Sequence, residues 1–132
     1  MESDTVNVTS SFYKNYVKKA EECFAGMNSA FGNENWNMAV IAAVHCGISS
    51  ADALTVKFLG LRNAGSRHET AIKLLSKLNL TDIGKKNRQL SNLLRIKSSA
   101  EYEEKLMSHG DASEAIRDAE RFYKWVKEVL GE

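Results

Sequence analysis

The segment LLRIKSSAEYE, residues 93–103, carries residue types that bind phosphate. On a helix, Arg95 and Tyr102 are spaced i, i+7 and therefore lie on one face. An arginine fork suits a phosphate because it donates two parallel hydrogen bonds, and a tyrosine can donate to the same group or stack on a base. Lys97 and Glu101 form an i, i+4 pair beside this row. The segment is either a phosphate-binding face or an exposed face of ion pairs.

A second polar row lies in an otherwise small and apolar segment. His45, Ser49 and Asp52 are spaced i, i+4 and i+7. Burying a carboxylate without a partner is costly, so Asp52 needs a cation or a hydrogen-bond donor, and Arg95 and Arg62 are the candidates. Either Asp52 orients a phosphate-binding arginine or the row is a structural polar bridge between helices.

Arg67 and His68 stand where a helix is expected to begin. The amides at a helix start attract anions, and their positive field favours the neutral imidazole that a general base needs. The alternative is a solvent-exposed first turn. The three histidines lie on separate elements without ligand spacing, so we expect no metal site. We also expect no cofactor, because the sequence has no glycine-rich phosphate loop, nucleophile elbow or paired catalytic carboxylates.

The elements that position these residues are helices. Apolar residues recur at intervals of three and four, proline is absent, and no segment alternates as a strand does. At 132 residues the chain suits one core. We predict an all-α, four- to five-helix up-and-down bundle over residues 10–132, after a flexible N-terminus over residues 1–9.

The helix boundaries follow from stop and capping residues. The first helix begins near Ser10 or Ser11, the third ends near Leu78, and the second, from Glu34 to Gly60, is the central one because small residues surround its middle. The expected terminal residues are Gly32 and Asn33 between the first two helices, Ser66 with Glu69 for the third, Thr81 for the fourth, and Asp111 with Glu114, then Gly131, for the last.

Composition bears on whether the protein binds nucleic acid, forms disulfides or contacts a membrane. The formal charge is +1, from 18 basic and 17 acidic residues, so nucleic-acid binding would need a local basic patch. Cys23 and Cys46 fall in helical apolar patterns, as buried reduced thiols do. The N-terminal MESDTVNVTS is no signal peptide, and the apolar MAVIAAVHCGI is too short to cross a bilayer. We therefore expect a cytoplasmic protein with no membrane contact.

The order of these features resembles that of HEPN domains. The segment FYKNYVKKAEECFAGMNSAFGNENWNMAVIAAVHCGISSADALTVKF resembles their first two helices, and GSRHETAIKLL resembles the start of their third. LLRIKSSAEYE followed by DASEAIRDAERFYKWVKEVL resembles their arginine-bearing segment and closing helix. The resemblance spans about residues 10–130.

This resemblance implies a four- or five-helix bundle, commonly a homodimer with a cleft between its subunits. Active HEPN proteins are metal-independent ribonucleases, often toxins of toxin–antitoxin pairs. Others bind nucleotides or RNA without catalysis, or accompany a small nucleotidyltransferase. The active motif is an arginine followed, after four to six residues, by a histidine. Arg95 matches the arginine, but the histidine positions hold Ala100, Glu101 and Tyr102.

The missing histidine bears on whether the protein cleaves RNA or only binds a ligand. Metal-free RNA cleavage needs a base for the 2′-hydroxyl and a cation for the phosphorane. An ordinary tyrosine, with a pKa of about 10, is a poor base at neutral pH. We therefore predict a non-catalytic module for a nucleotide, RNA phosphate or partner protein, lined by Arg95, Tyr102, Asp52, Lys97 and Arg67.

Two alternatives remain open. One is a metal-independent ribonuclease that combines Arg95 with a base from elsewhere, such as His68. The other is an interaction protein for a nucleotidyltransferase or antitoxin partner.

Overall fold

The computed structural model of the protein describes residues 4–65 and 67–132. These residues form five α-helices, a short 3₁₀ turn and a two-stranded sheet. The elements in chain order are β1 (Thr5–Asn7), the 3₁₀ turn (Ser10–Phe12), α1 (Tyr13–Gly32), α2 (Trp36–Leu59), β2 (Leu61–Asn63), α3 (His68–Ser76), α4 (Ile83–Tyr102) and α5 (His109–Leu130). The predicted all-α fold is confirmed, and α3 ends before the predicted Leu78.

The second helix, α2, is central, as its small residues predict. It packs against α1, α3, α4 and α5. Ala39, Ala43 and Ala53 on this helix are fully buried. Small side chains let the neighbouring helices approach closely. The approach is tightest at Gly47, where a Cβ atom would lie 2.6 Å from Cδ1 of Leu93 on α4.

The buried side chains form two clusters along α2. The first includes Met27 and Val40, and the second includes Leu54 and Leu90. Ala51 and Leu90 of the second cluster also line the pocket described below. One wall of that pocket is therefore part of the hydrophobic core and is fixed by its packing.

The sequence pattern does not predict the two strands. β1 pairs antiparallel with β2, and the backbone N–H of Ala64 donates to the carbonyl of Asp4 at 2.8 Å. The sequence predicts a flexible segment over residues 1–9, but β1 lies within it and is held by backbone hydrogen bonds. Residues 1–3 lie outside the described part of the chain. The pairing fixes β2 and the loop that follows it beside α2.

The turn between α1 and α2 differs from the prediction. Gly32 is the last residue of α1, and the left-handed residue is Glu34, with φ of 60°. Asn33 does not cap α2, which follows Asn35 without a side-chain capping bond. Backbone bonds close the turn instead, because the N–H of Glu34 donates to the carbonyl of Phe31 at 3.0 Å. These bonds satisfy carbonyls at the end of α1 and not the first amides of α2.

The residues that precede or cap α4 and α5 also differ from the predicted ones. Asp82, not Thr81, precedes α4, and its side chain makes no capping bond. The capping box of α5 pairs Ser108 with Asp111 rather than Asp111 with Glu114. The Ser108 hydroxyl accepts from the Asp111 N–H at 3.1 Å, and the Asp111 carboxylate accepts from the Ser108 N–H at 2.9 Å. Both pairs have the same spacing, so the pattern alone does not choose between them.

The remaining predicted helix ends concern α3 and α5. The capping box predicted for the start of α3 pairs Ser66 with Glu69, and Ser66 lies outside the described residues. α3 begins at His68, with Arg67 as the preceding residue in an extended conformation. Gly131 ends α5 in the left-handed conformation, with φ of 75°, as predicted.

Among the described residues, one helix, α2, has the length and apolar composition that a membrane span requires. It is 24 residues long and extends beyond the apolar MAVIAAVHCGI on which the sequence-based expectation rested. Of its most apolar window, 67% is buried inside the bundle. An apolar helix surrounded by other helices is typical of a protein core.

Candidate functional site

A pocket of about 550 Å³ lies among α2, the loop after β2, α3 and α4. This volume falls within the roughly 300–1,000 Å³ of small-molecule sites. Its apolar lining consists of Ile48, Ala51, Ala71, Leu90 and Leu94. Its polar lining consists of Asp52, Asn63, Lys97, Ser98 and Tyr102. The combination of an apolar wall with a few polar groups is typical of ligand sites.

Asp52 projects from α2 into this pocket and is partly buried. Burial raises the pKa of its carboxyl to about 7, although the positive charges of Arg62 and Lys19 oppose the rise. Within the described residues, the carboxylate has no hydrogen-bond or ion-pair partner within reach. Asp52 is thus a desolvated acid that still has unused hydrogen-bonding capacity.

Lys97 is held at the pocket by a chain of ionisable side chains. Its Nζ lies 3.4 Å from the Glu101 carboxylate, which confirms the predicted i, i+4 pair. The other carboxylate oxygen accepts from Nε2 of His45 on α2 at 2.5 Å. Burial opposes ionisation of Glu101, but the hydrogen bonds from His45 and Tyr102 and the charges of His45 and Lys97 outweigh it and lower the pKa. The chain joins α2 to α4 and fixes the lysine.

Tyr102 is the last residue of α4 and borders the same pocket. It is 75% exposed, which is unusual for an aromatic side chain. Nζ of Lys97 lies 5.5 Å from the centre of its ring. Tyr102 can therefore present a ring face to a flat ligand while the lysine supplies charge nearby.

Asn63, at the end of β2, is a pocket residue that the sequence analysis missed. Its Nδ2 donates to the carbonyl of Gly65 at 3.1 Å and to that of Arg67 at 3.5 Å. Its Oδ1 is buried and has no hydrogen-bond partner within the described residues. No sequence signal could have found it, because its position depends on the pairing of two three-residue strands.

Arg95 does not join Asp52. It is exposed, and its guanidinium donates to Oδ1 of Asn92 at 3.4 Å. It borders a different depression, between α4 and α5, with Arg117 and Asp118. The expected pairing of Arg95 with Asp52 is not found, because α4 is rotated so that Arg95 faces away from the pocket. Leu94 faces the pocket, and the next residue is turned by about 100° around the helix.

Of the two cations proposed for Asp52, Arg62 is the one whose charge acts on it. Lys19 of α1, which the sequence analysis did not consider, is the second. The predicted binding residues therefore divide into two groups. Asp52, Lys97 and Tyr102 line one pocket, and Arg95 lies outside it.

Arg67 and His68 lie near the pocket without lining it. The Arg67 guanidinium is 3.7 Å from the Asp4 carboxylate. Nε2 of His68 is 2.9 Å from Oγ of Ser91 on α4. Ser91 and Arg95 are one helical turn apart, so His68 lies close to the face that carries Arg95.

The predicted polar row on α2 is divided between two surfaces. His45 and Ser49 border a groove between α1 and α2 that also contains Cys23, whereas Asp52 faces the pocket. Cys46 is buried nearby, and burial raises the pKa of its thiol to about 12. A protonated, buried thiol is a poor nucleophile, which agrees with a structural cysteine.

Comparison with known families supports the resemblance in the sequence. The family model of the HEPN domain matches residues 13–129, which include α1 to α4 and all but the last residue of α5, but neither the 3₁₀ turn nor β1. No curated protein matches the chain. HEPN domains commonly dimerise and are often associated with nucleotides or RNA. With a family match over nearly its whole length and an all-α bundle of five helices, the chain belongs to the HEPN domain family.

Proposed function

We propose that this protein is a non-catalytic HEPN module that binds a nucleotide in the pocket between α2 and α4. The observation that carries the proposal is the carboxyl of Asp52, which faces the pocket with a raised pKa and no described hydrogen-bond partner. A desolvated, unpaired carboxylate destabilises a fold. Strongly perturbed acids in clefts are therefore candidates for ligand contacts.

The other lining groups suit the parts of a nucleotide. The apolar wall, including Leu90 and Leu94, can cover the flat faces of a base. Tyr102 can stack on the base or on the next one in a strand. Lys97, held by Glu101, provides the positive charge for a phosphate.

The non-catalytic part of the proposal rests on the active motif. Ala100, Glu101 and Tyr102 occupy the positions where active members carry a histidine. Glu101 is already engaged with His45 and Lys97, and its lowered pKa makes it a weak base. Arg95 is the one motif residue present, and it lies outside the pocket.

Nucleotide binding is expected to depend on Asp52. Replacing Asp52 with Asn removes the carboxylate but keeps the size, so the affinity for the best of the four nucleoside monophosphates should fall about tenfold or more. Isothermal titration calorimetry at pH 7.5 measures this change. Asp118→Asn makes the same chemical change at the depression beside Arg95 and should leave affinity unaltered. Equal binding by wild type and Asp52→Asn would refute the proposal.

A second candidate function is a metal-independent ribonuclease with His68 as base. It is favoured by the 2.9 Å contact of His68 with Ser91, one turn from Arg95. Such a site would be completed in a homodimer, the state that HEPN domains commonly adopt.

Cleavage of RNA distinguishes the binding function from the ribonuclease function. Under the binding proposal, we expect wild type to cleave single-stranded RNA in the presence of chelator no faster than His68→Ala does. Gel analysis of a labelled oligonucleotide measures the rates. Cleavage by wild type that both His68→Ala and Arg95→Ala abolish would establish the ribonuclease instead.

A further inference from the structure

The pocket is lined by one carboxylate, that of Asp52, which has no hydrogen-bond donor among the described residues. Both of its oxygens are therefore free to accept. A ligand that pairs with both oxygens must supply two adjacent N–H donors.

The four bases differ in this respect on their Watson–Crick edges. Guanine presents two neighbouring donors, N1–H and the N2 amino group, which match the two oxygens of one carboxylate. Adenine and cytosine each place one amino group beside an acceptor, and uracil places one N–H between two carbonyls. An ionised carboxylate opposite any of these three would face an acceptor, which costs binding energy.

We propose that the pocket is selective for guanine, with the two oxygens of the Asp52 carboxylate accepting from N1–H and N2–H. This inference rests on the proposed nucleotide-binding function and deepens it. The positive charge of Lys97 lies in the same pocket, where it can approach O6 or the phosphate. The two adjacent donors of the guanine edge then each face a carboxylate oxygen.

The charged groups around Asp52 determine how the selectivity depends on pH. Lys19 from α1 and Arg62 from β2 act on its carboxyl, and Lys97 and Tyr102 from α4 line the same pocket, to which α3 contributes the uncharged Ala71. Guanine requires the ionised carboxylate. Since burial raises the pKa of Asp52 to about 7, guanine selectivity should increase from pH 6 to pH 8.

The test compares GMP, IMP and AMP by calorimetry with the full chain. IMP keeps N1–H and O6 but lacks the N2 amino group, so we expect GMP to bind about tenfold more tightly than IMP at pH 8. The phosphate is common to both ligands, and its own ionisation cancels in their ratio. The ratio should be smaller at pH 6. Asp52→Asn should reduce it towards one, whereas Asp118→Asn should preserve it.

The outcomes separate the inference from the function on which it rests. Binding of AMP or IMP as tight as that of GMP, still dependent on Asp52, would overturn guanine selectivity and leave nucleotide binding intact. No binding of any nucleotide, or binding indifferent to Asp52→Asn, would overturn both. A ratio of GMP to IMP affinity that is large but independent of pH would place the N2 contact elsewhere and refute the role of Asp52.

Discussion

Asp52→Asn is expected to increase the free energy of unfolding by about 2 kcal/mol at pH 8, and by little at pH 4. In the folded protein burial raises the pKa of Asp52 to about 7, whereas in the unfolded chain an aspartate has a pKa of about 4. Keeping the carboxylate ionised in the fold therefore costs free energy at neutral and alkaline pH. Asparagine has no charge to desolvate and avoids that cost.

The sign of the pH dependence follows from proton binding. Between about pH 4 and pH 7 the folded wild type holds a proton on Asp52 that the unfolded chain has lost, so its stability falls with rising pH relative to the variant. Above pH 7 the difference is constant. The full pKa difference corresponds to at most roughly 4 kcal/mol, and solvent at the pocket mouth reduces this, so we expect about half.

Urea unfolding of both proteins at pH 4, 6 and 8 measures the effect. Asp111→Asn is an informative comparison because hydrogen bonding to the backbone of Ser108 lowers the pKa of that carboxyl. Removing the Asp111 carboxylate should destabilise the protein by about 1 kcal/mol, and the loss should be greater at pH 8 than at pH 3. If Asp52→Asn were no more stable than wild type at pH 8, the carboxylate would have a partner in solution and the main support for the binding site would be lost.

A gain in stability also protects the binding experiments. Loss of nucleotide affinity in a destabilised variant could reflect unfolding, but Asp52→Asn is expected to be the more stable protein. A residue whose removal stabilises the fold while abolishing binding is retained for function rather than for structure. The two measurements on one variant thus answer the structural and functional questions separately.

Gly47→Ala is expected to destabilise the protein by about 1–2 kcal/mol, although alanine favours helices. In a helix interior, replacing glycine by alanine normally gains about 1 kcal/mol. At Gly47 the new Cβ would lie 2.6 Å from Cδ1 of Leu93, a side chain that is only 1% exposed and cannot move without disturbing the core. Overpacking of this kind costs roughly 1–3 kcal/mol or somewhat more.

Gly26→Ala provides the matched comparison within the same protein. It also lies in a helix interior, but its Cβ would meet Cβ of Ala42 at 4.0 Å, an ordinary contact. We expect it to gain about 1 kcal/mol in urea unfolding. The double variant Gly47→Ala, Leu93→Val should recover part of the loss, because valine lacks the clashing Cδ1 atom. Stabilisation by Gly47→Ala alone would show that α2 and α4 are not in tight contact.

Residue periodicity predicts the helices because each helix buries one continuous stripe of side chains. It also identifies α2 as central, since only a helix contacted from several sides carries small residues around Ala43 and Gly47. The ion pair of Lys97 and Glu101 is predictable for the same reason, because its spacing lies within one helix. These features depend on local geometry alone.

The site itself could be predicted only in part. Spacing places Arg95 and Tyr102 on α4, but it does not give the rotation of α4 relative to α2, and that rotation separates Arg95 from Asp52. The bond of His45 to Glu101 joins residues far apart in the chain, so no local pattern reveals it. Asn63 was missed because three-residue strands have too few positions to show alternation.

The short ribbon at the N-terminus has a practical consequence for anyone trimming this protein. The family match begins at residue 13, whereas β1 lies upstream and holds the strand that carries Asn63. A fragment cut at the family boundary would keep all five helices but leave that strand without its neighbour. Such a fragment could look well folded by circular dichroism and still have a damaged pocket wall, so residues 4–12 belong in any sample used for ligand screening.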